Sequence, residues 1–466
     1  MSMFEDIPVD VGVIYEGERI RWAEAYLEFG GPRVDKKFEL VRAKPLDEVE
    51  DGKIDVIGPD IKELEKKRSY PLGIYIEVAG EKVEEELEGV IERRIHEYCN
   101  YIQGLMHVNQ RYDIWIRLSE KSYKKGLNSF KLIGKVLYRL FKSELPIIEK
   151  IQITFITDPK KVDEMYDMAL KVYEARDARA RGLTDEEVEE FYGCNLCQSF
   201  APTHSCVITP QRYANCGAIS WFDGRAAARV DPKGPIFKIP KGKCLDPLRG
   251  EYSGANESLK KNTMGEITRV WLYTAFGYPH TSCGCFEAVA FYIPEVDGLG
   301  IVHRGYKGKT VNGLTFSVLA DSTAGGRQVD GFHGISFEYM RSPKFLQADG
   351  GWNRIVWMPE SAKERVKDFI PKEVVDKIAT EKDVSTVAEL KAFLKEKGHP
   401  VVKRWKAEVA EAPAEEEVPA EKPEEAEALV SAPALTAIPA AGGFKIILKN
   451  VKIHAKRVRI VRKEKK

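Results

Sequence analysis

The chain has 466 residues, of which 43% are hydrophobic and 31% charged, a composition typical of a soluble globular protein with two or three domains. Its 72 Lys and Arg balance 72 Asp and Glu, so the chain as a whole gives no indication of nucleic-acid binding. No run of about 18 apolar residues predicts a membrane span, and residues 1–16 lack the apolar core of a signal peptide. We therefore expect a cytoplasmic protein without nucleic-acid or membrane partners.

Residues 1–160 alternate between strand-like and helix-like patterns and are predicted to form an α/β domain. Short, β-branched segments predict strands at residues 11–15, 72–78, 114–118 and 151–156. Apolar residues at helical spacing predict helices over residues 82–98 and 127–145. This part of the chain contains no catalytic motif.

Residues 161–400 are predicted to form an irregular α+β domain built around cysteines. A long helix is expected over about residues 162–179. Thr184 and Glu187 have the spacing of a capping box, which predicts a second, shorter helix that ends near Phe191 and delivers Cys194 at its C-terminal edge. A helical module is predicted over residues 371–397.

The composition changes sharply after Trp405. Residues 406–443 are mostly Ala, Glu and Pro, which predicts a flexible, disordered linker. Residues 444–466 carry ten Lys and Arg against one Glu, with apolar residues interleaved. This end is either a solvated basic tail or a docking segment tethered by the linker.

Six of the eight cysteines lie in two short stretches, which is not the pattern of a disulfide framework and indicates a reducing compartment. The first stretch has the spacing C-x2-C-x8-C-x9-C and comprises Cys194, Cys197, Cys206 and Cys216. Four thiolates can hold an iron–sulfur cluster, zinc or Cu(I). Because zinc sites usually contain two C-x2-C pairs and this stretch has one, the spacing favours an iron–sulfur cluster over structural zinc.

The second stretch is the tripeptide Cys283-Gly284-Cys285. Its two sulfurs and the peptide nitrogens of Gly284 and Cys285 can surround one ion as a planar four-donor set, which suits Ni(II) or Cu(II). Glycine in the middle allows the backbone to come close to the metal. If both stretches share one pocket, a cluster thiolate could bridge to a second metal with an open coordination position, as a reacting metal requires.

Residues 191–204 (FYGCNLCQSFAPTH), with Cys206, Cys216 and the stretch SCGCFE at residues 282–287, resemble the A-cluster signature of acetyl-CoA synthases. From the first domain to about residue 400 the chain is similar to the archaeal beta subunit of the acetyl-CoA decarbonylase/synthase complex. The resemblance implies a Ni–Ni–[4Fe-4S] A-cluster. Cys194, Cys197, Cys206 and Cys216 would hold the [4Fe-4S] cluster, and Cys197 would also bridge to the proximal nickel. Cys283 and Cys285 would bridge the two nickel ions, with the amides of Gly284 and Cys285 completing the distal site.

The resemblance also implies an activity, the reversible synthesis of acetyl-CoA from CO, coenzyme A and a methyl group carried by a corrinoid iron–sulfur protein. Implied partners are carbon monoxide dehydrogenase subunits and a ferredoxin-type electron donor. Bacterial relatives carry an additional N-terminal domain that docks carbon monoxide dehydrogenase, so the resemblance implies that other subunits supply CO here. Two alternatives are an iron–sulfur electron-transfer subunit without nickel chemistry and a scaffold with structural zinc.

Three further residues receive roles from the resemblance. Phe200 would lie beside the proximal nickel, although by itself it predicts a core aromatic. Strand alternation places Trp115 and Arg117 on one face, and the resemblance implies that this pair binds coenzyme A by stacking adenine and pairing phosphate. Without the resemblance the pair predicts an ordinary exposed strand face.

The remaining candidates lie near the motifs in sequence. His204 and His280 could donate hydrogen bonds to metal ligands. Cys99 is expected to be a buried thiol. No motif supports Cys244 as a metal ligand. A basic series could help to hold phosphates or could simply be surface: Arg225, Arg229, Lys233, Lys238, Lys241 and Lys243.

Overall fold

The computed structural model describes residues 3–108 and 114–408, except the side chains of residues 406–408. Of the predicted linker at residues 406–443, only the first three positions fall inside this range, and the basic segment 444–466 lies outside it. Both remain predictions. Within the described residues, no helix is long and apolar enough to cross a membrane.

The described residues form 17 strands and 12 α-helices. The strands are β1 (Ala25–Gly30), β2 (Lys37–Ala43), β3 (Ile54–Ile57), β4 (Ser69–Tyr70), β5 (Leu72–Ala79), β6 (Leu105–Val108), β7 (Trp115–Ser119), β8 (Lys150–Ile156), β9 (Glu190–Cys194), β10 (Cys206–Ile208), β11 (Ile236–Pro240), β12 (Cys244–Asp246), β13 (Glu251–Tyr252), β14 (Ala288–Ile293), β15 (Gly298–His303), β16 (Phe332–Ile335) and β17 (Ile355–Trp357). The helices are α1 (Glu88–Asn100), α2 (Glu120–Lys124), α3 (Phe130–Glu144), α4 (Pro159–Arg181), α5 (Trp221–Val230), α6 (Ser253–Asn262), α7 (Phe316–Thr323), α8 (Phe337–Met340), α9 (Glu360–Val366), α10 (Lys372–Val375), α11 (Val387–Glu396) and α12 (Val402–Glu408).

Two four-stranded sheets form the N-terminal part, with strand orders β2-β5-β8-β3 and β4-β1-β7-β6. The first sheet is mixed, because β5 runs parallel to β2 but antiparallel to β8. Its central strands are strongly apolar, and Ile74, Ile76, Ile153 and Phe155 are fully buried. The mixed α/β class predicted for this part is confirmed, whereas the domain boundary at residue 160 remains a prediction.

Three of the four predicted strands are present as β5, β7 and β8. The strand predicted at residues 11–15 is wrong. Val11 makes only an isolated bridge to Ile102, Val13–Tyr15 form a 3-10 turn, and the Ile14 side chain is 84% exposed. β-branched residues predict a strand only where a neighbouring strand supplies ladder hydrogen bonds and packing.

The predicted helices at 82–98, 127–145 and 162–179 correspond to α1, α3 and α4, while the predicted module 371–397 is split between α10 and α11. Helix α1 is unusual because 12 of its 13 residues are buried, including Glu88, Glu92, Arg93 and His96. It packs against β2, β6, α3 and α5. Its apolar spacing predicts one buried face, but the helix is covered nearly all round by the rest of the molecule.

The second helix predicted after α4 is also wrong. Thr184 does bond to Glu187, through its backbone N–H (2.7 Å) and its hydroxyl (2.6 Å), but the segment forms a turn that leads into strand β9. Strand β9 is the centre of the sheet β10-β9-β11, so ladder hydrogen bonds on both edges override the local helix signal. Cys194 therefore lies at the end of a strand.

Candidate metal centre

Strands β9 and β10 position the first four cysteines. Cys194 and Cys206 are direct partners in the antiparallel register of these strands. Cys197 lies in the turn that follows β9, and Cys216 lies in the second turn after β10. All four side chains are buried, so a short hairpin-like sheet collects cysteines that are up to 22 positions apart in sequence, from 194 to 216.

The Cys283-Gly284-Cys285 tripeptide forms a loop that enters β14. Gly284 has a φ of +135°, a backbone conformation that L side chains rarely adopt. A Cβ at this position would meet its nearest neighbours, on Phe200 and Ala324, at an ordinary 3.5 Å. Backbone conformation and not lack of space therefore requires glycine here.

The structure brings the two cysteine stretches together. The thiols of Cys197, Cys283 and Cys285 are within hydrogen-bonding reach of one another, and the backbone N–H of Cys285 donates to Cys283 Sγ at 3.2 Å. Hydrogen bonds with Cys197 and Cys283 hold the pKa of Cys285 well below its usual value, while those with Cys197 and Cys285 raise the pKa of Cys283. Because neighbouring thiols share protons in this way, the cluster favours a negative charge on Cys285.

Burial is the main influence on the pKa values of Cys194, Cys206 and Cys216. It raises the pKa of Cys206 to about 12 and that of Cys216 to about 11, and it raises the pKa of Cys194 well above the usual value. Without a bound cation these thiols stay protonated at neutral pH, and a metal ion is what deprotonates a coordinating thiol.

The donor set fits a thiolate-bound metal centre. Six buried cysteines form no disulfide and lie in one region of the core. In the described residues, no three His, Cys, Asp or Glu side chains already have the arrangement of a metal site. The fold gathers the six cysteines in one region of the core, and the assignment of individual ligands remains a prediction.

Arg93 on α1 is a functional candidate that the sequence interpretation missed. Its Nη2 donates to Cys197 Sγ at 3.5 Å and to Cys285 Sγ at 3.8 Å, and the residue is 1% exposed. Burial lowers its pKa, but Cys197 and Cys285 raise it, so the net shift is upward. A buried guanidinium requires negative partners, and sulfur ligands supply them.

Several histidines surround the cysteines. His204 Nε2 lies 3.1 Å from Cys206 Sγ, and its Nδ1 lies 2.9 Å from the hydroxyl of Thr281. His280 instead accepts a hydrogen bond from the backbone N–H of Val207 at 2.9 Å. His96, on α1, places Nε2 3.8 Å from Cys285 Sγ. Only the first of the two predicted histidines thus contacts a cysteine, and His96 was not predicted.

A cavity of about 650 Å³ opens beside the Cys-Gly-Cys loop. Its lining includes Phe200, Trp115 and Arg117, the three residues to which the resemblance gives roles, together with Gly284 and Cys285. Residues that were not predicted also line it, among them His96, His107 and Arg304. One cavity therefore joins the metal-centre loop to the pair expected to bind coenzyme A.

Trp115 and Arg117 do share one face of β7, as strand alternation predicts. Both donate to the buried carboxylate of Glu28, and the guanidinium of Arg117 lies 4.3 Å from the centroid of the Trp115 ring. Gly31, with a φ of +69°, allows the backbone to approach this indole so closely that a Cβ would lie 2.7 Å from it. The pair shares one buried carboxylate, and the Arg117 side chain is only 12% exposed, so it is not the exposed strand face of the alternative interpretation.

The basic series has other partners. Arg225 pairs with Glu86, Arg229 with Glu84 and Lys238 with Glu190. Among the described residues that line the cavity, none belongs to this series. The structure therefore does not place this series at the cavity, and a role for it in holding phosphates remains a prediction. Cys99 is buried, as predicted, and Cys244 is exposed.

Two family models match the chain. The model described as the CO dehydrogenase/acetyl-CoA synthase complex beta subunit matches residues 7–162, and that for the C-terminal part of the ACS/CODH beta subunit matches residues 173–406. A solved structure of the C-terminal domain of an acetyl-coenzyme A synthase alpha subunit is 44% identical and covers 26% of this chain and 96% of that chain. Its TM-score of 0.24 does not by itself indicate a shared fold.

Curated relatives extend the match to the full length. The beta subunit of the acetyl-CoA decarbonylase/synthase complex of Methanothermobacter thermautotrophicus is 55% identical and covers 99% of this chain and 100% of that protein. The corresponding protein of Methanopyrus kandleri is 52% identical over 99% of this chain and 98% of its own length. Subunit beta 2 of Methanocaldococcus jannaschii is 57% identical over 88% of this chain and 86% of its own length. The chain belongs to the beta subunit family of the acetyl-CoA decarbonylase/synthase complex.

Proposed function

We propose that this chain catalyses the reversible synthesis and cleavage of acetyl-CoA from CO, coenzyme A and a methyl group carried by a corrinoid iron–sulfur protein. The observation that carries the proposal is that one nitrogen, Nη2 of Arg93, lies 3.5 Å from Cys197 Sγ in the first cysteine stretch and 3.8 Å from Cys285 Sγ in the second. Cys285 lines the cavity that is also lined by Trp115 and Arg117. One cavity is therefore lined both by a thiol of the Cys-Gly-Cys loop and by the pair proposed to bind coenzyme A.

The proposed group is a Ni–Ni–[4Fe-4S] cluster. Cys194, Cys197, Cys206 and Cys216 would hold the [4Fe-4S] part, and Cys197, Cys283 and Cys285, with the amides of Gly284 and Cys285, would hold the two nickel ions. When bound, the group supplies the template on which a methyl group and CO are joined and from which the acetyl group passes to the thiol of coenzyme A.

The chain's own residues prepare this site. Arg93 offers a buried positive charge to Cys197 and Cys285, which favours these sulfurs as thiolates. Phe200 lines the cavity and lies 3.5 Å from the position of a Cβ on Gly284, so it restricts the space beside the loop to small ligands. An aromatic wall also excludes water from the reacting groups.

The coenzyme A end of the cavity is proposed to lie at Trp115 and Arg117. The indole offers apolar surface for a base, and the guanidinium offers charge for phosphate. Arg117 already uses Nε for Glu28 and Nη1 for the carbonyl of Ile20 (2.9 Å), so its orientation is set before a ligand arrives. Preorganisation of this kind reduces the entropy lost on binding.

The names of the relatives include the words "complex subunit", which supports a function in an assembly. We propose that carbon monoxide dehydrogenase subunits supply CO, that a corrinoid iron–sulfur protein supplies the methyl group, and that a ferredoxin-type donor supplies electrons. The C-terminal segment is proposed to tether the chain to one of these partners.

Elemental analysis of the anaerobically purified chain tests the proposal against its alternatives. Nickel approaching two ions for every four irons is expected. Iron and sulfide without nickel would instead identify an electron-transfer subunit, and zinc would identify a structural scaffold. A Cys283→Ser variant is expected to lose exchange of CO with the acetyl group of acetyl-CoA, whereas the matched control Cys244→Ser, at an exposed thiol, keeps it.

A further inference from the structure

The Cys-Gly-Cys loop is held through its carbonyl oxygens. The carbonyls of Ser282 and Cys283 accept hydrogen bonds from the backbone N–H groups of Gly326 (2.9 Å) and Gly325 (3.1 Å). The carbonyl of Gly284 instead accepts from Nη2 of Arg304 at 2.6 Å, and that of Phe286 accepts from the same nitrogen at 3.2 Å. Arg304 is the charged donor among these contacts, and its hydrogen bond to the carbonyl of Gly284 is the shortest of the four.

The carbonyl of Gly284 and the backbone nitrogen of Cys285 belong to one peptide unit. Resonance couples these two atoms, so a change of charge on the nitrogen is shared with the oxygen. A peptide nitrogen that binds a metal ion gives up its hydrogen, and the resulting negative charge is delocalised onto the carbonyl oxygen. The positive guanidinium of Arg304, whose Nη2 lies 2.6 Å from that oxygen, stabilises this negative charge.

We propose that Arg304 is a positioning residue that stabilises the peptide between Gly284 and Cys285 as an anionic ligand of a square-planar ion such as Ni(II). The inference rests on the proposed function, in which the amide of Cys285 is a metal ligand. In the binding step Ni(II) forms a bond to the nitrogen, the N–H bond breaks, and the proton leaves to solvent. No electron is transferred.

Contacts of its backbone and of its side chain fix the position of the Arg304 guanidinium. The residue follows β15 directly, and its backbone N–H donates to the carbonyl of Glu287 at 3.0 Å. Its guanidinium lies 5.0 Å from the ring centroid of Phe316, on the wall of the cavity.

The test is Ni(II) binding to the full chain, produced without nickel and carrying its iron–sulfur cluster. Ni(II) is titrated in competition with a chromophoric chelator, and bound nickel is counted by elemental analysis while the absorption of planar Ni(II) is followed. Arg304→Gln is expected to weaken Ni(II) binding by about 10- to 100-fold. Arg304→Lys keeps the charge and is expected to recover part of this loss. Arg19→Gln is the control, because Arg19 lies at the cavity wall but pairs with Asp321.

Iron content separates the proposed role from a folding defect, because the iron–sulfur cluster is expected to use thiolates alone. Four irons per chain in all variants, with weaker Ni(II) binding only in Arg304→Gln, support the proposal. Equal Ni(II) affinity in Arg304→Gln and the unaltered chain overturns it, as does loss of iron in both Arg304 variants, which identifies a structural clamp. If the unaltered chain binds no Ni(II), the proposed function fails as well.

Discussion

The indole Nε1 of Trp115 and the guanidinium Nε of Arg117 donate to the same carboxylate oxygen of Glu28, at 2.7 Å and 2.9 Å. The other oxygen of Glu28 accepts from the hydroxyl of Ser69 and from Arg33, both at 2.8 Å. Burial raises the pKa of this carboxyl, but the hydrogen bonds from Ser69, Arg117, Trp115 and Arg33 outweigh burial and lower it. Glu28 is therefore an ionised, fully buried anchor for the pair proposed to bind coenzyme A.

Replacing Glu28 by Gln is expected to weaken coenzyme A binding by about 10-fold, because the charge that orients Trp115 and Arg117 is lost. Calorimetric titration with coenzyme A measures the affinity. The KM for coenzyme A should rise, while CO binding, which does not involve this end of the cavity, should be unchanged. Glu24→Gln is the matched control, since Glu24 is exposed and its carboxylate accepts a hydrogen bond from the backbone N–H of Arg21. Unchanged affinity in Glu28→Gln would exclude the positioning role.

Arg93→Met is expected to lower the amount of cluster that the chain retains. The substitution preserves much of the side-chain volume but removes the positive charge beside Cys197 and Cys285, and such outer contacts typically change metal affinity by about 10- to 100-fold. Iron, sulfide and nickel per chain provide the measurement. Arg139→Met, on α3, serves as a control because Arg139 pairs with Asp6 at the surface. Full cluster content in Arg93→Met would contradict the prediction.

Gly284→Ala is expected to strain the loop by about 1–3 kcal/mol, because a φ of +135° is unfavourable for a residue with a Cβ. Nickel content should fall while the four-cysteine iron site remains occupied. Gly182→Ala is an informative comparison, since Gly182 ends α4 with a φ of −80° and has open space around it. Equal nickel content in the two variants would show that the loop tolerates a side chain at residue 284.

Because His399 is buried, it is expected to make the stability of the fold depend on pH. Burial lowers its pKa to about 4, below an ordinary value of about 6.5 for an unfolded chain. Between these values the unfolded state binds more protons, so stability should fall as the pH decreases from about 6.5 to 4, by at most about 3 kcal/mol. Urea unfolding at several pH values, compared with His399→Gln, isolates this contribution. A difference between the two proteins that does not change with pH would be inconsistent with it.

Deleting residues 407–466 is expected to leave metal content and acetyl exchange intact but to weaken assembly with partner subunits. The physical reason is that a basic segment on a flexible linker raises the local concentration of a docking contact without forming part of the metal centre. Co-purification or sedimentation with the partner subunits gives the measurement. Assembly that is unchanged after the deletion would show that this segment is not the tether.

The candidate donor atoms follow from the order of residues along the chain, and their binding of a metal remains a prediction. Thiol spacing in Cys194–Cys216 and in Cys283–Cys285 restricts which metals can bind, and this depends only on covalent neighbours. The strands β5, β7 and β8 and the helices α1, α3 and α4 were also predictable, because their apolar periodicity survives in the folded chain.

The surroundings of the donors could be seen only in the folded chain. Arg93 and His96 lie on a helix whose sequence pattern predicts one buried face. Only the packing of that helix against β2, β6, α3 and α5 brings these two side chains to the cysteines. The segment that begins at Thr184 leads into a strand and not a helix, because β10 and β11 pair with both edges of β9. Arg304 reaches the carbonyl of Gly284 across 20 residues of chain. Contacts of this kind depend on long-range packing, which local propensity does not encode.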